Sequence, residues 1–92
     1  TILTDNISEE IKKHEGKRIG ILSFKSKLDD LNIASQIILS PKGDLTEAAA
    51  RLYGAMHDLD RENLDVIIAE RFPDTGLGKS INDRLQRATY SS

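Results

Sequence analysis

Cysteine and tryptophan are absent from this chain, and aromatics are scarce, with two Phe and two Tyr in 92 residues. Without cysteine there is no disulfide framework, no thiol nucleophile and no Cys-based metal site, an absence that fits a cytoplasmic setting. With so few aromatics, Ile, Leu and Ala must fill most of the thin core of one small domain. An excess of either charge is also lacking. Thirteen basic against fifteen acidic residues give a formal net charge of −2, too balanced to steer the chain toward nucleic acid by its overall field. Apolar runs are short. Val66–Ala69 falls far below the roughly 20 residues of a membrane-spanning helix, so no membrane partner is expected. The N-terminus has no signal-peptide core and begins with Thr rather than Met, as expected of a domain excised from a longer protein.

What is present alternates between helix and strand patterns. Ile7 and Ile11 form a short helical stripe behind Asn6, which is spaced from Glu9 like a capping pair. That helix is expected to end near Gly16. The nearly continuous apolar run Ile19–Phe24 reads as a strand covered on both faces, with Gly20 allowing close approach of a neighbour. Residues 25–33 are polar, with Leu28 and Leu31 as candidate anchors and room for a short helix. Ala34–Leu39 is a second strand, closed by Ser40-Pro41-Lys42-Gly43. Leu45, Ala49, Leu52, Met56 and Leu59 mark a long helix with Asp44 and Glu47 at capping-box spacing and Glu47–Arg51 as an i,i+4 pair. Gly54 interrupts it at a cost of about 1 kcal/mol relative to Ala, for which tight packing on the sheet would be a reason. Asp65–Glu70 is a third strand, and Ile81, Leu85 and Ala88 stripe a final helix. Strands separated by helices imply an α/β fold, a three-layer Rossmann-like domain with a mainly parallel sheet flanked by helices.

Chemistry is concentrated in one stretch. Pro73-Asp74-Thr75-Gly76-Leu77-Gly78-Lys79-Ser80 lies between a strand and a helix and departs from the phosphate-loop pattern at Pro73, where a Gly is required. Such a loop works through convergent backbone N–H groups, a Lys on the terminal phosphates and a hydroxyl on magnesium. A nucleotide hydrolase of that class needs further strands after the loop, and only twelve residues follow Ser80. A structural glycine turn is the leading reading, with weak anion binding by Gly78, Lys79 and Ser80 as its rival. Gly76-Leu77-Gly78 begins like a dinucleotide fingerprint, but Ile81 stands where the third glycine belongs. Asp58, Asp60, Glu62 and Asp65 match no calcium-loop spacing and read as a solvated helix end. His14 and His57 have no partner at ligand spacing, so neither a metal site nor a catalytic triad is expected. Lys12, Lys13, Lys17 and Arg18, or Lys79 with Arg84 and Arg87, would meet RNA phosphates without aromatic residues interleaved to stack bases. Tyr53 reads as a residue flanking the core.

Taken in order, Leu52-Tyr53 … Met56-His57-Asp58-Leu59-Asp60, then Asp65-Val66-Ile67-Ile68-Ala69-Glu70, then Gly76-Leu77-Gly78-Lys79-Ser80-Ile81-Asn82-Asp83-Arg84-Leu85-Gln86-Arg87-Ala88 resemble the C-terminal domain of Sua5-type threonylcarbamoyl-AMP synthases. The family usually has Ala at the position of Ser80 and Asn at that of Asp83, so the resemblance implies that the phosphate-loop likeness is incidental. It further implies that residues 1–92 are one accessory domain, with the YrdC-like catalytic domain of the same protein as its partner and lying outside this chain. The parent would use ATP and Mg with L-threonine and bicarbonate to make threonylcarbamoyl-adenylate, for the t6A modification of tRNA. No catalytic residue carries over to these positions, and no cofactor is expected within them. The candidate anion or interdomain contacts are Glu70, Arg71, Gly76, Gly78, Lys79, Ser80, Asn82 and Arg84. For Arg84 an ion pair with Glu70 or Asp60, pinning helix to strand, is the favoured role. The alternative function is a small nucleotide- or anion-binding domain built on the Gly76–Ser80 turn, and weak tRNA contact is a third.

Overall fold

A computed structural model describes residues 2–25, 27–29 and 32–91, with backbone alone for 88–91. Leu31 and the side chain of Ala88, both suggested above as core contacts, lie outside the described residues. The elements run β1 (Ile2–Thr4), α1 (Ile7–Lys13), β2 (Ile19–Ser23), β3 (Ile33–Ile38), α2 (Leu45–Asp60), β4 (Val66–Glu70) and α3 (Leu77–Ser91). The four strands form one sheet in the order β1-β4-β2-β3, with every neighbouring pair parallel.

Side chains leave successive strand residues toward opposite faces, and that alternation divides the core in two. Ile19, Ile21 and Ile68 meet Ile7 and Ile11 of α1 on one face. Leu22 and Ala69 meet Leu52, Ala55 and Leu59 of α2 and Ile81 and Leu85 of α3 on the other. The result is the three-layer arrangement expected from the sequence. Burial explains why β2 carries no polar alternation, since all five of its residues are buried. Gly20 also behaves as expected, because a Cβ there would drive into Leu64 Cδ1.

Both predicted helix caps form, with a different second partner. Asn6 Oδ1 accepts the Glu9 N–H at 3.2 Å and Asp44 Oδ1 accepts the Thr46 N–H at 2.9 Å. The capping residue's own N–H goes upstream, to Thr4 Oγ1 at 3.0 Å and to Ser40 Oγ at 2.8 Å, instead of to the acidic residue three positions on. Each hydroxyl sits at or just past the end of the preceding strand, so strand, turn and helix start are tied together. The Glu47–Arg51 pair is present at 3.9 Å, partly exposed, and contributes at most a few tenths of a kcal/mol.

Three expectations need correction. β1 was not expected: three residues are too few to show a period, and its identity as a strand comes from pairing Ile2 with Ile68, Leu3 with Ala69 and Thr4 with Glu70. No helix occurs among the described residues of 25–33; there the Gln36 side-chain amide accepts the Leu28 N–H (3.0 Å) and donates to the Leu28 carbonyl (2.8 Å), fixing that stretch of backbone. Gly54 does not pack on the sheet, since it is exposed and a Cβ there would meet nothing within 4 Å.

Candidate functional site

In an open parallel sheet, ligands collect beyond the carboxyl ends of the strands, where adjacent strands send their helices to opposite faces. Here those strands are β1, followed by α1 on one face, and β4, followed by α3 on the other. Glu70 closes β4 at this point. Its Oε1 accepts the Phe24 N–H at 2.7 Å, fixing the chain as it leaves β2. With Asp5, Asn6, Ser8, Ser23 and Leu28 it lines a small recess of about 150 Å³. Arg71 follows β4 on the rim, beside the end of β1. Its N–H donates to the Thr4 carbonyl at 2.9 Å and its Nε lies 3.2 Å from Asp5 Oδ1. Both partners of that ion pair are exposed, so its net contribution is small.

Backbone conformation and packing set the shape of the glycine turn. Gly76 has φ +54°, a left-handed backbone that glycine adopts without strain. Gly78 is buried, and a Cβ on it would overlap the carbonyl oxygen of Pro73. Its N–H donates to the Thr75 carbonyl at 3.0 Å, and the Ser80 N–H reaches the Gly76 carbonyl at 3.4 Å. Those two donors are thus engaged in the first turn of α3, whereas a phosphate nest requires donors converging on the ligand. Lys79 and Ser80 are exposed on the helix surface.

Asn82 points the other way, into the protein. Its Oδ1 accepts the Phe72 N–H and its Nδ2 donates to the Phe72 carbonyl, both at 2.8 Å. Only 5 % of Asn82 and 2 % of Phe72 are exposed. One side-chain amide thereby satisfies both backbone groups of the residue leaving β4, as a neighbouring strand would. Phe72 can then place its ring 4.7 Å from that of Phe24 across the core.

Arg84 pairs with neither Glu70 nor Asp60. Its Nη1 donates to Tyr53 Oη, and its guanidinium carbon sits 4.7 Å above the Tyr53 ring centroid. It therefore ties α3 to α2 through a cation–π contact, worth about 0.5–1 kcal/mol at an exposed site. Tyr53 is accordingly no core-flanking residue; it is 69 % exposed. Sequence reasoning missed this pair because Tyr53 and Arg84 meet only when the two helices lie side by side.

The candidate residues therefore divide among three places: the strand-end recess, the glycine turn with its clamp, and the outer face of α2 and α3. The acidic cluster is dispersed as well. Asp65 Oδ2 accepts the Arg18 N–H at 2.8 Å just ahead of β2, and Glu62 Oε2 accepts from Ser35 Oγ within β3 at 2.8 Å. Among the described residues, no three His, Cys, Asp or Glu side chains are grouped to hold a metal ion.

Comparison with known proteins gives a consistent result. The family described as "Threonylcarbamoyl-AMP synthase, C-terminal domain" matches residues 2–89. A threonylcarbamoyl-AMP synthase of Bacillus subtilis (strain 168) is 37% identical over 73 residues, covering 79% of this chain and 21% of that protein. One from Pyrococcus abyssi (strain GE5 / Orsay) is 35% identical over 78 residues, covering 84% and 21%. The chain thus spans about a fifth of the length of these curated relatives. Among solved structures, P. abyssi Sua5 complexed with L-threonine aligns with a TM-score of 0.76 at 29% identity, over 95% of this chain and 26% of that one. The C-terminal Sua5 domain from a Pyrococcus horikoshii protein aligns with a TM-score of 0.62 at 29% identity, over 87% and 74%.

Proposed function

The chain belongs to the family of threonylcarbamoyl-AMP synthase C-terminal domains, and we propose that it is the non-catalytic accessory domain of such a synthase. In this reading it packs on a YrdC-like catalytic domain of the same polypeptide and gates access to it. The catalytic domain, with ATP and Mg²⁺, converts L-threonine and bicarbonate into threonylcarbamoyl-adenylate and pyrophosphate, for t6A in tRNA. The L-threonine complex of a relative supports threonine as the amino-acid substrate. In this reading the protein works in the cytoplasm. Among the described residues no helix is long and apolar enough to cross a membrane.

One observation carries the accessory reading. The residues that resemble chemistry are used in the fold: Gly78 lies against Pro73, and Asn82 holds Phe72. What they build is a rigid joint between β4 and α3, which suits a body that must keep its shape while another domain moves against it. A pyrophosphate-release assay on this chain with ATP, L-threonine and bicarbonate should give no turnover, and turnover would overturn the proposal. Titration with ATP, AMP and pyrophosphate, followed by backbone amide shifts, separates the accessory reading from a small anion-binding domain. Shifts confined to residues 74–82 would favour the latter, and a silent titration at millimolar ligand would remove it.

A further inference from the structure

The outer face of α2 and α3 carries a groove of about 560 Å³ that the core does not explain. Leu52 and Met56 contribute its apolar lining, and Ser80 and Asp83 its polar lining. Tyr53 stands in it, 69 % exposed, with Arg84 laid over its ring. An aromatic side chain fixed in this way loses little freedom on being covered. Beside it, Gly54 opens onto a shallower patch with Met56 and His57. A glycine at mid-helix weakens the helix, and nothing inside the domain requires this one, because a Cβ would meet no atom within 4 Å. Close approach of another surface to the α2 backbone at this point would account for it. Tyr, Met and Arg gathered at the centre of a patch, with charges around it, is the composition of a contact surface.

We propose that this α2–α3 groove is where the catalytic part of the same polypeptide docks, with Tyr53 as anchor and Gly54 as the point of closest approach. The inference rests on the accessory-domain reading above and adds the face used. The occupant is argued from two observations. The matched family is a C-terminal domain, and its curated relatives are about five times longer than the segment matched, so their remaining mass precedes this domain. Chain preceding Ile2 also enters beside α3, since β1 lies against that helix.

The test is site-specific photo-cross-linking in the full polypeptide, with cysteines ahead of the domain replaced by serine. The domain supplies none of its own. A benzophenone is attached at His57→Cys, on the patch beside the groove, or at Ser8→Cys, on the opposite α1 face. Cross-links from position 57 to residues preceding the domain in the same chain, at least tenfold above those from position 8, are expected. Adding Gly54→Lys or Tyr53→Ala should lower them about tenfold. Cross-links from position 8 and not from 57 would overturn the groove assignment and leave the accessory reading standing. Cross-links from 57 to a second copy would overturn it in favour of self-association, and cross-links from neither position would overturn the groove assignment, with the deletion assay left to judge the accessory reading.

Discussion

Replacing Asn82 by Ala should unfold this domain more readily than any change to the charged residues around it. Asn82 and Phe72 are both buried, and two 2.8 Å hydrogen bonds join the amide to the Phe72 N–H and carbonyl. Truncation leaves two backbone groups without partners in a site closed to solvent. An unsatisfied buried group costs about 1–3 kcal/mol. Allowing for partial relaxation, the pair should cost about 2–4 kcal/mol. Total stability for 92 residues is roughly 5–14 kcal/mol by the usual per-residue range, so the loss is a large fraction of the whole. In urea, with a slope of about 1.5 kcal/mol per molar, the unfolding midpoint should fall by roughly 1.5–2.5 M. Asn82→Leu restores volume without hydrogen bonds and should be no better than Ala. A loss below about 1 kcal/mol for Asn82→Ala, or recovery in the Leu variant, would refute the clamp.

Other substitutions probe the same architecture. Gly78→Ala, whose Cβ would overlap the Pro73 carbonyl oxygen, should cost about 3 kcal/mol or more, whereas Gly76→Ala, strained by φ +54° in open space, should cost about 1 kcal/mol; equal losses in chemical denaturation would contradict the packing account. Gly54→Ala should raise Tm by roughly 3–6 °C, from about 0.5–1 kcal/mol of helix propensity, and a lowered Tm in calorimetry would show that the domain itself needs this glycine. Gly20→Ala should be partly rescued by Leu64→Ala, because the added methyl competes with Leu64 Cδ1; a double-mutant cycle should give a coupling of about 1 kcal/mol, and simple additivity would contradict it.

Legibility followed sequence distance and pattern length. The long α2 stripe and the apolar runs of β2, β3 and β4 could be read directly, because burial on one face or two writes a period into the residues. β1 could not, since three residues hold no period and only pairing with β4 makes them a strand. Both caps were legible at the capping residue, but the hydroxyls of Thr4 and Ser40 upstream were not. At the glycine turn a structural role is the leading reading from spacing, but the contact that requires Gly78, the Pro73 carbonyl oxygen, became evident only in the folded chain. The Arg84–Tyr53 contact joins residues 31 positions apart on two exposed helix surfaces, where no hydrophobic pattern marks which residues will meet. For Asn82 the residue type was noticed, but its partner Phe72 became evident only once α3 folded back along β4.

The central claim is that this domain acts on a catalytic neighbour without doing chemistry itself. The most direct measurement compares steady-state threonylcarbamoyl-adenylate synthesis by the full polypeptide, by the polypeptide lacking residues 1–92, and by the shortened polypeptide with this chain added in trans. The account predicts that deletion lowers kcat/KM for L-threonine or ATP by tenfold or more, and that adding the chain back restores part of it. Unchanged kinetic constants after deletion would contradict it.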